Sequence, residues 1–106
     1  MARTLINAPK TARRGEIIEI RTLIAHPMDS GFLIDSQGRK VPRNILQRFT
    51  CRYHGELVFS AEMFAAIAAN PYLVFYAVAT ESGTLEFEWQ GDNGFAQTER
   101  LAITVT

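Results

Sequence analysis

The residues of this sequence whose types could perform chemistry are one cysteine and two histidines. Cys51 and His54 lie close together in the chain, and His26 lies well upstream of both. A thiolate is a nucleophile and a metal ligand, and an imidazole can activate a thiol or share a metal with it. A stand-alone redox or metal-handling domain that uses Cys51 and His54 is therefore one function to weigh against the rest of the sequence.

The pattern around Cys51 favours a buried thiol over a reactive one. Apolar and polar side chains alternate from residue 45 to residue 54, which predicts a β-strand with one side toward the core. The apolar side holds Ile45, Phe49, Cys51 and Tyr53, and the polar side holds Arg48, Thr50, Arg52 and His54. We therefore expect Cys51 to pack as a small hydrophobe and His54 to lie at an exposed strand end.

Established catalytic motifs are missing from the sequence, which has no Gly-rich phosphate loop, HExxH pair or GxSxG elbow. We therefore predict no catalytic residue, no metal site and no cofactor.

His26, Pro27 and Met28 open a long loop. This start of the loop is either a turn with a hydrogen-bonded imidazole or part of a recognition loop. The same loop carries a charged cluster of Asp35, Arg39, Lys40 and Arg43. Such a cluster is ordinary solvated surface, or it steers an anionic partner or substrate.

Length and composition limit the class of protein. The chain has 106 residues, of which 47% are hydrophobic, a size and polarity typical of one folded domain, residues 1–106. Eleven basic residues balance eleven acidic ones, so wholesale electrostatic binding to nucleic acid or an anionic membrane is not expected. A single cysteine excludes an internal disulfide framework. The first residues resemble no signal peptide, and no apolar run approaches the ~20 residues that span a bilayer.

Period-two alternation in three further segments predicts an all-β protein. Their inward-facing residues are Ile18, Ile20, Thr22 and Ile24, then Leu85, Phe87 and Trp89, then Leu101, Ile103 and Val105. Residues 91–94, Gly-Asp-Asn-Gly, predict a hairpin turn because these residue types tolerate a positive φ. Short strands separated by turn signals indicate an antiparallel sandwich or barrel. The alanine-rich residues 60–69 predict one or two helical turns bridging the sheets, with Ser60 as the N-cap.

One predicted strand, residues 72–79, is apolar on both sides. Its first side holds Leu73, Phe75, Ala77 and Ala79, and its second side holds Tyr72, Val74, Tyr76 and Val78. A sandwich has a single core, so something else must cover the second side. Either the alanine-rich segment covers a central strand, or the side is a protein–protein interface, at which tyrosine is favoured.

These segments together resemble the SoxZ family, the smaller subunit of the SoxYZ sulfur carrier of bacterial thiosulfate oxidation. The likeness lies in IRTLIAHPM (residues 20–28), VPR (41–43), FTCRY (49–53), IAANPYL (67–73) and ATESGT (79–84). The segments extend over nearly the whole chain, and the His-Pro-Met loop and the Ala-Asn-Pro sequence are the most specific of them.

The resemblance implies an immunoglobulin-like β-sandwich without catalytic activity. It also implies a stable heterodimer with SoxY, whose cysteine on a mobile C-terminal arm carries the sulfur intermediates. The present chain has no cysteine near its last residue, so we expect it to be the scaffold half. The transient partners implied are SoxXA, SoxB and SoxCD, and the location implied is the periplasm, reached by export together with SoxY.

We assign the partner-binding site to two groups of residues. The apolar strand side, Tyr72, Val74, Tyr76 and Val78, is expected to hold SoxY, and the loop of His26, Pro27 and Met28 is expected to help present the SoxY arm to the enzymes. Two alternatives remain: the redox or metal-handling domain with Cys51 and His54, and a homodimeric adhesion or ligand-binding sandwich.

Overall fold

Alternating sequence patterns become eight strands in the computed structural model, which describes residues 2–64 and 67–106. The strands are β1 (Thr4–Asn7), β2 (Thr11–Ala12), β3 (Ile17–Ile24), β4 (Leu46–Tyr53), β5 (Glu56–Glu62), β6 (Tyr72–Val78), β7 (Gly83–Gly91) and β8 (Ala96–Val105). They form a three-stranded sheet in the order β1-β3-β6 and a five-stranded sheet in the order β2-β8-β7-β4-β5. All neighbours are antiparallel except the short β2, which runs parallel to β8. The all-β, immunoglobulin-like sandwich predicted from the sequence is confirmed.

The core lies between the two sheets and is rich in aromatic rings. Phe49 of β4 packs on Trp89 of β7 with ring centroids 5.1 Å apart. Phe59 of β5 stacks on Phe75 of β6 at 4.3 Å, which joins the two sheets at one side of the sandwich. The inward residues predicted for β3, β4 and β7 are buried, so the alternation identified their faces correctly.

The helical turns predicted for residues 60–69 are wrong at the first residues of that segment. Ser60, Ala61 and Glu62 form the end of β5, because they pair with Thr50, Phe49 and Arg48 of β4. Ser60 is therefore a strand residue and not an N-cap, and a long-range pairing has overridden local helix propensity. Residues 65 and 66 of the same segment lie outside the described residues.

The turn predicted at residues 91–94 is confirmed. Asp92–Gly94 form a single 3-10 turn between β7 and β8, and Asn93 has a φ of 61°. Asparagine tolerates this left-handed conformation better than most residues, which explains its presence at this position.

The longest connection, between β3 and β4, folds into a hairpin-like extension that we call the β3–β4 excursion (residues 29–44). Two isolated bridges hold it together, Asp29 with Asn44 and Ile34 with Lys40.

The protein measures 58 × 20 × 20 Å, with a radius of gyration of 16.1 Å. A typical domain of this length has a radius of gyration of ~13 Å, so the protein is elongated. Among the described residues, no helix has the length and apolar character needed to cross a bilayer.

Candidate partner-binding surface

The outer face of the five-stranded sheet is polar. Arg100 of β8 lies 2.9 Å from Glu86 of β7, and Arg48 of β4 lies 3.9 Å from Glu62 of β5. Charges of opposite sign on neighbouring strands stabilise a solvated sheet surface slightly and discourage apolar docking. This face has the character of ordinary surface.

The outer face of the three-stranded sheet is apolar by contrast. On β6, Tyr72 is 55% exposed, Val74 42%, Tyr76 61% and Val78 50%. Ile17 of β3 lies beside Val78, and Leu5 of β1 and Tyr72 flank Leu23, so that apolar side chains extend across all three strands. We call these residues the apolar face: Leu5, Ile17, Leu23, Tyr72, Val74, Tyr76 and Val78. A monomer seldom leaves such a patch bare, and contiguous exposed apolar surface marks a contact site.

One ion pair lies in the middle of the apolar face. Arg21 and Glu19 are both on β3, and the Arg21 Nε donates to Glu19 Oε1 at 2.5 Å. Beside this pair a shallow depression of about 220 Å³ is lined by Leu5, Asn7, Arg21, Leu23 and Tyr72. The face therefore combines apolar area with an exposed ion pair, of which arginine is enriched and glutamate depleted at protein interfaces.

The structure places the second predicted group of site residues mostly inside the protein. His26 and Met28 are buried, and only Pro27 is exposed. The His26 Nδ1 accepts a hydrogen bond from the Met28 N–H at 3.2 Å, and the Met28 sulfur accepts one from the Leu46 N–H at 3.2 Å. Burial lowers the pKa of His26, an effect that the charges of Asp29 and Asp92 partly oppose. His26 and Met28 thus support the base of the excursion, and whether this loop contacts a partner remains a prediction.

A carboxylate that the sequence marked only as part of a turn fixes the excursion at its other side. Asp92 accepts from Arg43 Nε and Nη2, both at 2.8 Å, from Gln47 Nε2 at 2.6 Å and from the Ile45 N–H at 3.1 Å. The side-chain hydrogen bond with Arg43 is the main reason that the pKa of Asp92 is lowered. One aspartate thereby ties the β7–β8 turn to the end of the excursion.

The excursion exposes three consecutive large apolar residues: Phe32 is 82% exposed, Leu33 54% and Ile34 69%. Sequence reasoning missed this group, although three apolar neighbours within an otherwise polar loop were a visible signal. The charged residues predicted near them are largely paired. Arg39 lies 3.4 Å from Asp35, Arg43 binds Asp92, and the Lys40 ammonium lies 5.9 Å from the centre of the Phe32 ring.

Cys51 and His54 are not brought together. Cys51 is fully buried in the core, and burial raises the pKa of its thiol to about 12. His54 lies in the exposed β4–β5 turn with a φ of 52°, and its Nε2 is 3.4 Å from Glu81 Oε1. Within residues 2–64 and 67–106, no three His, Cys, Asp or Glu side chains cluster as metal ligands would. A thiol with a raised pKa in the core is a poor nucleophile.

Comparisons with solved structures agree with the fold. The superoxide reductase (neelaredoxin) from Ignicoccus hospitalis is 14% identical, matches with a TM-score of 0.77, and the match covers 99% of this chain and 82% of that one. The sulfur carrier protein SoxY from Chlorobium limicola f thiosulfatophilum is also 14% identical, with a TM-score of 0.68 over 97% of this chain and 78% of that one. At this identity the two likenesses show a shared fold alone. No curated protein matches the sequence.

Membership of a family rests on the sequence itself. The family described as sulphur oxidation protein SoxZ matches residues 6–102, which is most of the 106-residue chain. The match includes the last two residues of β1, all of β3 and β6, and the whole excursion. The chain therefore belongs to the SoxZ family and has a role in the Sox system of sulfur oxidation.

Proposed function

We propose that the chain is the non-catalytic scaffold subunit of a SoxYZ sulfur carrier, and that it binds SoxY through its apolar face. In this role it helps to present the cysteine-bearing arm of SoxY to SoxXA, SoxB and SoxCD during thiosulfate oxidation. We also propose that it works in the periplasm and is exported together with SoxY.

The observation that carries the proposal is the difference between the two outer faces. The five-stranded sheet presents paired charges, whereas Tyr72, Val74, Tyr76 and Val78 present four adjacent apolar side chains. Tyrosine and valine on a sheet surface supply area without the entropy cost of ordering long side chains. A partner that covers this face removes these apolar side chains from water.

The buried thiol supports the scaffold role over the redox alternative. A sulfur carrier or redox site needs an accessible thiolate, and Cys51 is both enclosed and hard to ionise. In the proposed complex the reactive cysteine is contributed by SoxY.

The test is co-purification of the chain with SoxY after co-expression. In the Tyr76→Asp variant a charge must be buried at the contact, so we expect loss of SoxY from the purified complex. The matched control is Leu57→Asp, which places the same charge on an exposed residue of β5 in the other sheet. Circular dichroism and urea unfolding check that both variants fold.

Co-purification of SoxY with Tyr76→Asp at the wild-type level would refute the assignment of the face. Failure of the wild-type chain to retain SoxY would refute the scaffold function itself. A homodimeric sandwich would instead give one self-associated species even when SoxY is present.

Presentation of the arm is tested at the excursion. We propose that Phe32, Leu33 and Ile34, which we call the apolar tip of the excursion, help the Sox enzymes to dock. These residues are exposed on a segment that is anchored at its base. Phe32→Asp is expected to leave SoxY binding unchanged and to slow thiosulfate oxidation in a reconstituted Sox system. Wild-type turnover by the Phe32→Asp carrier would exclude this role for the tip.

A further inference from the structure

Strand β6 carries a second feature besides its apolar side chains: it lies at the edge of the three-stranded sheet. The Pro71 carbonyl accepts from the Ile24 N–H at 3.3 Å, and the Ala79 N–H donates to the Glu16 carbonyl at 2.8 Å. In an antiparallel ladder, alternate residues direct both main-chain groups to the same neighbour. The odd-numbered residues from 71 to 79 therefore bond to β3, and the even-numbered ones direct their N–H and C=O groups to the open edge.

The even-numbered residues are Tyr72, Val74, Tyr76 and Val78, the same four that make up the β6 part of the apolar face. No described residue donates to or accepts from their main-chain groups. One strand thus offers a row of apolar side chains and a row of unpaired hydrogen-bonding groups on the same four residues. This is the combination used when an extended segment is added to a sheet.

The edge of β6 also lacks the usual protection against such addition. It contains no charged residue and no proline, and its register with β3 is unbroken over seven pairs. One edge strand of the other sheet, β5, contains Glu56 and Glu62, and its register with β4 shifts between Cys51 and Arg52. Charges and bulges are devices that prevent edge-to-edge pairing, so only one of these two edges is open.

The size of the face gives a further reason to involve the edge. Seven residues at ~3.3 Å each and three strands ~4.8 Å apart give a face of roughly 300 Å² in projection. A stable interface takes ~800 Å² from each partner. A contact made through the face alone would be small. If a strand of the partner also pairs with the edge of β6, the main-chain groups of β6 join its apolar side chains in the interface.

We propose that SoxY binds by β-augmentation: an edge strand of its own sandwich pairs with β6 and extends the three-stranded sheet across the heterodimer. This rests on the proposed function for the identity of the partner. The SoxY of known structure shares the present fold, so the partner is a sandwich with sheet edges of its own. When two sandwiches of the same fold join at equivalent edges, the contact is nearly two-fold symmetric, the commonest arrangement in dimers.

The test compares two substitutions at Val74 in the complex with SoxY. Val74→Ala removes the side chain from the apolar face and keeps the main-chain N–H. Val74→Pro removes the N–H that faces the open edge and leaves the bonds to β3 in place, and proline is tolerated on edge strands. We expect Val74→Pro to weaken SoxY binding by about tenfold or more beyond Val74→Ala, because a buried carbonyl of SoxY loses its donor.

A second measurement uses the wild-type complex and does not depend on the fold of a variant. The Hα protons of Leu73, Phe75 and Ala77 point to the open edge, so pairing places them against Hα protons of SoxY. We expect interchain Hα–Hα nuclear Overhauser effects at these residues when one subunit is isotopically labelled.

Four results would overturn the proposal. Wild-type binding to SoxY without interchain Hα contacts would leave the proposed function intact and exclude augmentation. A folded Val74→Pro variant that binds SoxY no more weakly than Val74→Ala does would have the same meaning. Hα contacts between two copies of this chain at the same residues, in the absence of SoxY, would identify a second copy as the occupant of the edge. A wild-type chain that does not bind SoxY would remove the proposed function together with its partner.

Discussion

The imidazole of His26 lies inside the protein, where its Nδ1 accepts a hydrogen bond from the Met28 N–H. Its own main-chain N–H donates to the Asn70 side chain at 3.0 Å, and its ring meets Phe95 edge-on at 5.3 Å. Every one of these contacts holds the end of β3 in place. The residue is therefore structural, and its neutral form is the one that the fold needs.

This burial gives the stability of the protein a pH dependence. The pKa of His26 is lowered in the folded state, so the unfolded chain takes up a proton at a higher pH than the folded one. We expect the free energy of unfolding in urea to fall as the pH drops through and below ~6.5, the ordinary value for histidine. His26→Asn keeps an acceptor for the Met28 N–H and should lose this slope, whereas His54→Asn should keep it. An equal slope in wild type and His26→Asn would contradict the assignment.

A second residue-scale prediction concerns Thr22 on β3. Its hydroxyl is buried and has no hydrogen-bond partner among the described residues. Replacing it by the isosteric valine removes an unsatisfied polar group from the core. We expect Thr22→Val to raise the free energy of unfolding by about 1 kcal/mol, as measured by urea titration. A destabilised variant would mean that the hydroxyl is satisfied in solution.

Individual side chains were predictable from the sequence where a single strand decides their environment. The burial of Cys51 and the exposure of His54 follow from alternation along one strand, and both are confirmed. The burial of His26 and Met28 was not predictable, because it depends on Leu46, Asn70 and Phe95 from distant parts of the chain.

Among the elements, the β3–β4 excursion depends most on one residue. Asp92 gathers its four hydrogen bonds from the end of the excursion and the start of β4. These bonds link two connections that lie far apart in sequence. Asp92 therefore acts together with the bridge between Asp29 and Asn44 to hold the base of the excursion.

Removal of this carboxylate should loosen the excursion. We expect Asp92→Ala to lower the free energy of unfolding by about 1–3 kcal/mol, because the buried Ile45 N–H loses its acceptor. Limited proteolysis should then cut within residues 29–44 faster than in the wild type. Asp35→Ala is the control, since Asp35 binds only the local turn of the excursion through Gln37 and Arg39. Equal cleavage rates in Asp92→Ala and wild type would show that other contacts hold the excursion.

At this scale the sequence predicted strands better than their places in the sheets. The alternation in β3 and β7 identified which residues face the core. It could not show that β6 is an edge strand, because edge and centre are defined by pairing partners. The assignment of helix to Ser60–Glu62 was wrong for the same reason: pairing with β4 outweighs the propensity of alanine.

The whole molecule is a sandwich with two unlike outer surfaces. One sheet carries paired charges, and the other carries the apolar face and the unprotected edge of β6. Burying the apolar face against a partner gains ~25 cal/mol for each Å² of apolar area removed from water. The asymmetry between the two sheets is therefore the feature that points to a permanent partner.

The most direct test of this account is hydrogen exchange of the whole chain, followed by mass spectrometry, with and without SoxY. We expect SoxY to slow exchange in residues 72–78 and to leave the charged outer face of β4, β7 and β8 unchanged. Slowed exchange on the five-stranded sheet, together with unchanged exchange in residues 72–78, would contradict the claim that the apolar face binds SoxY.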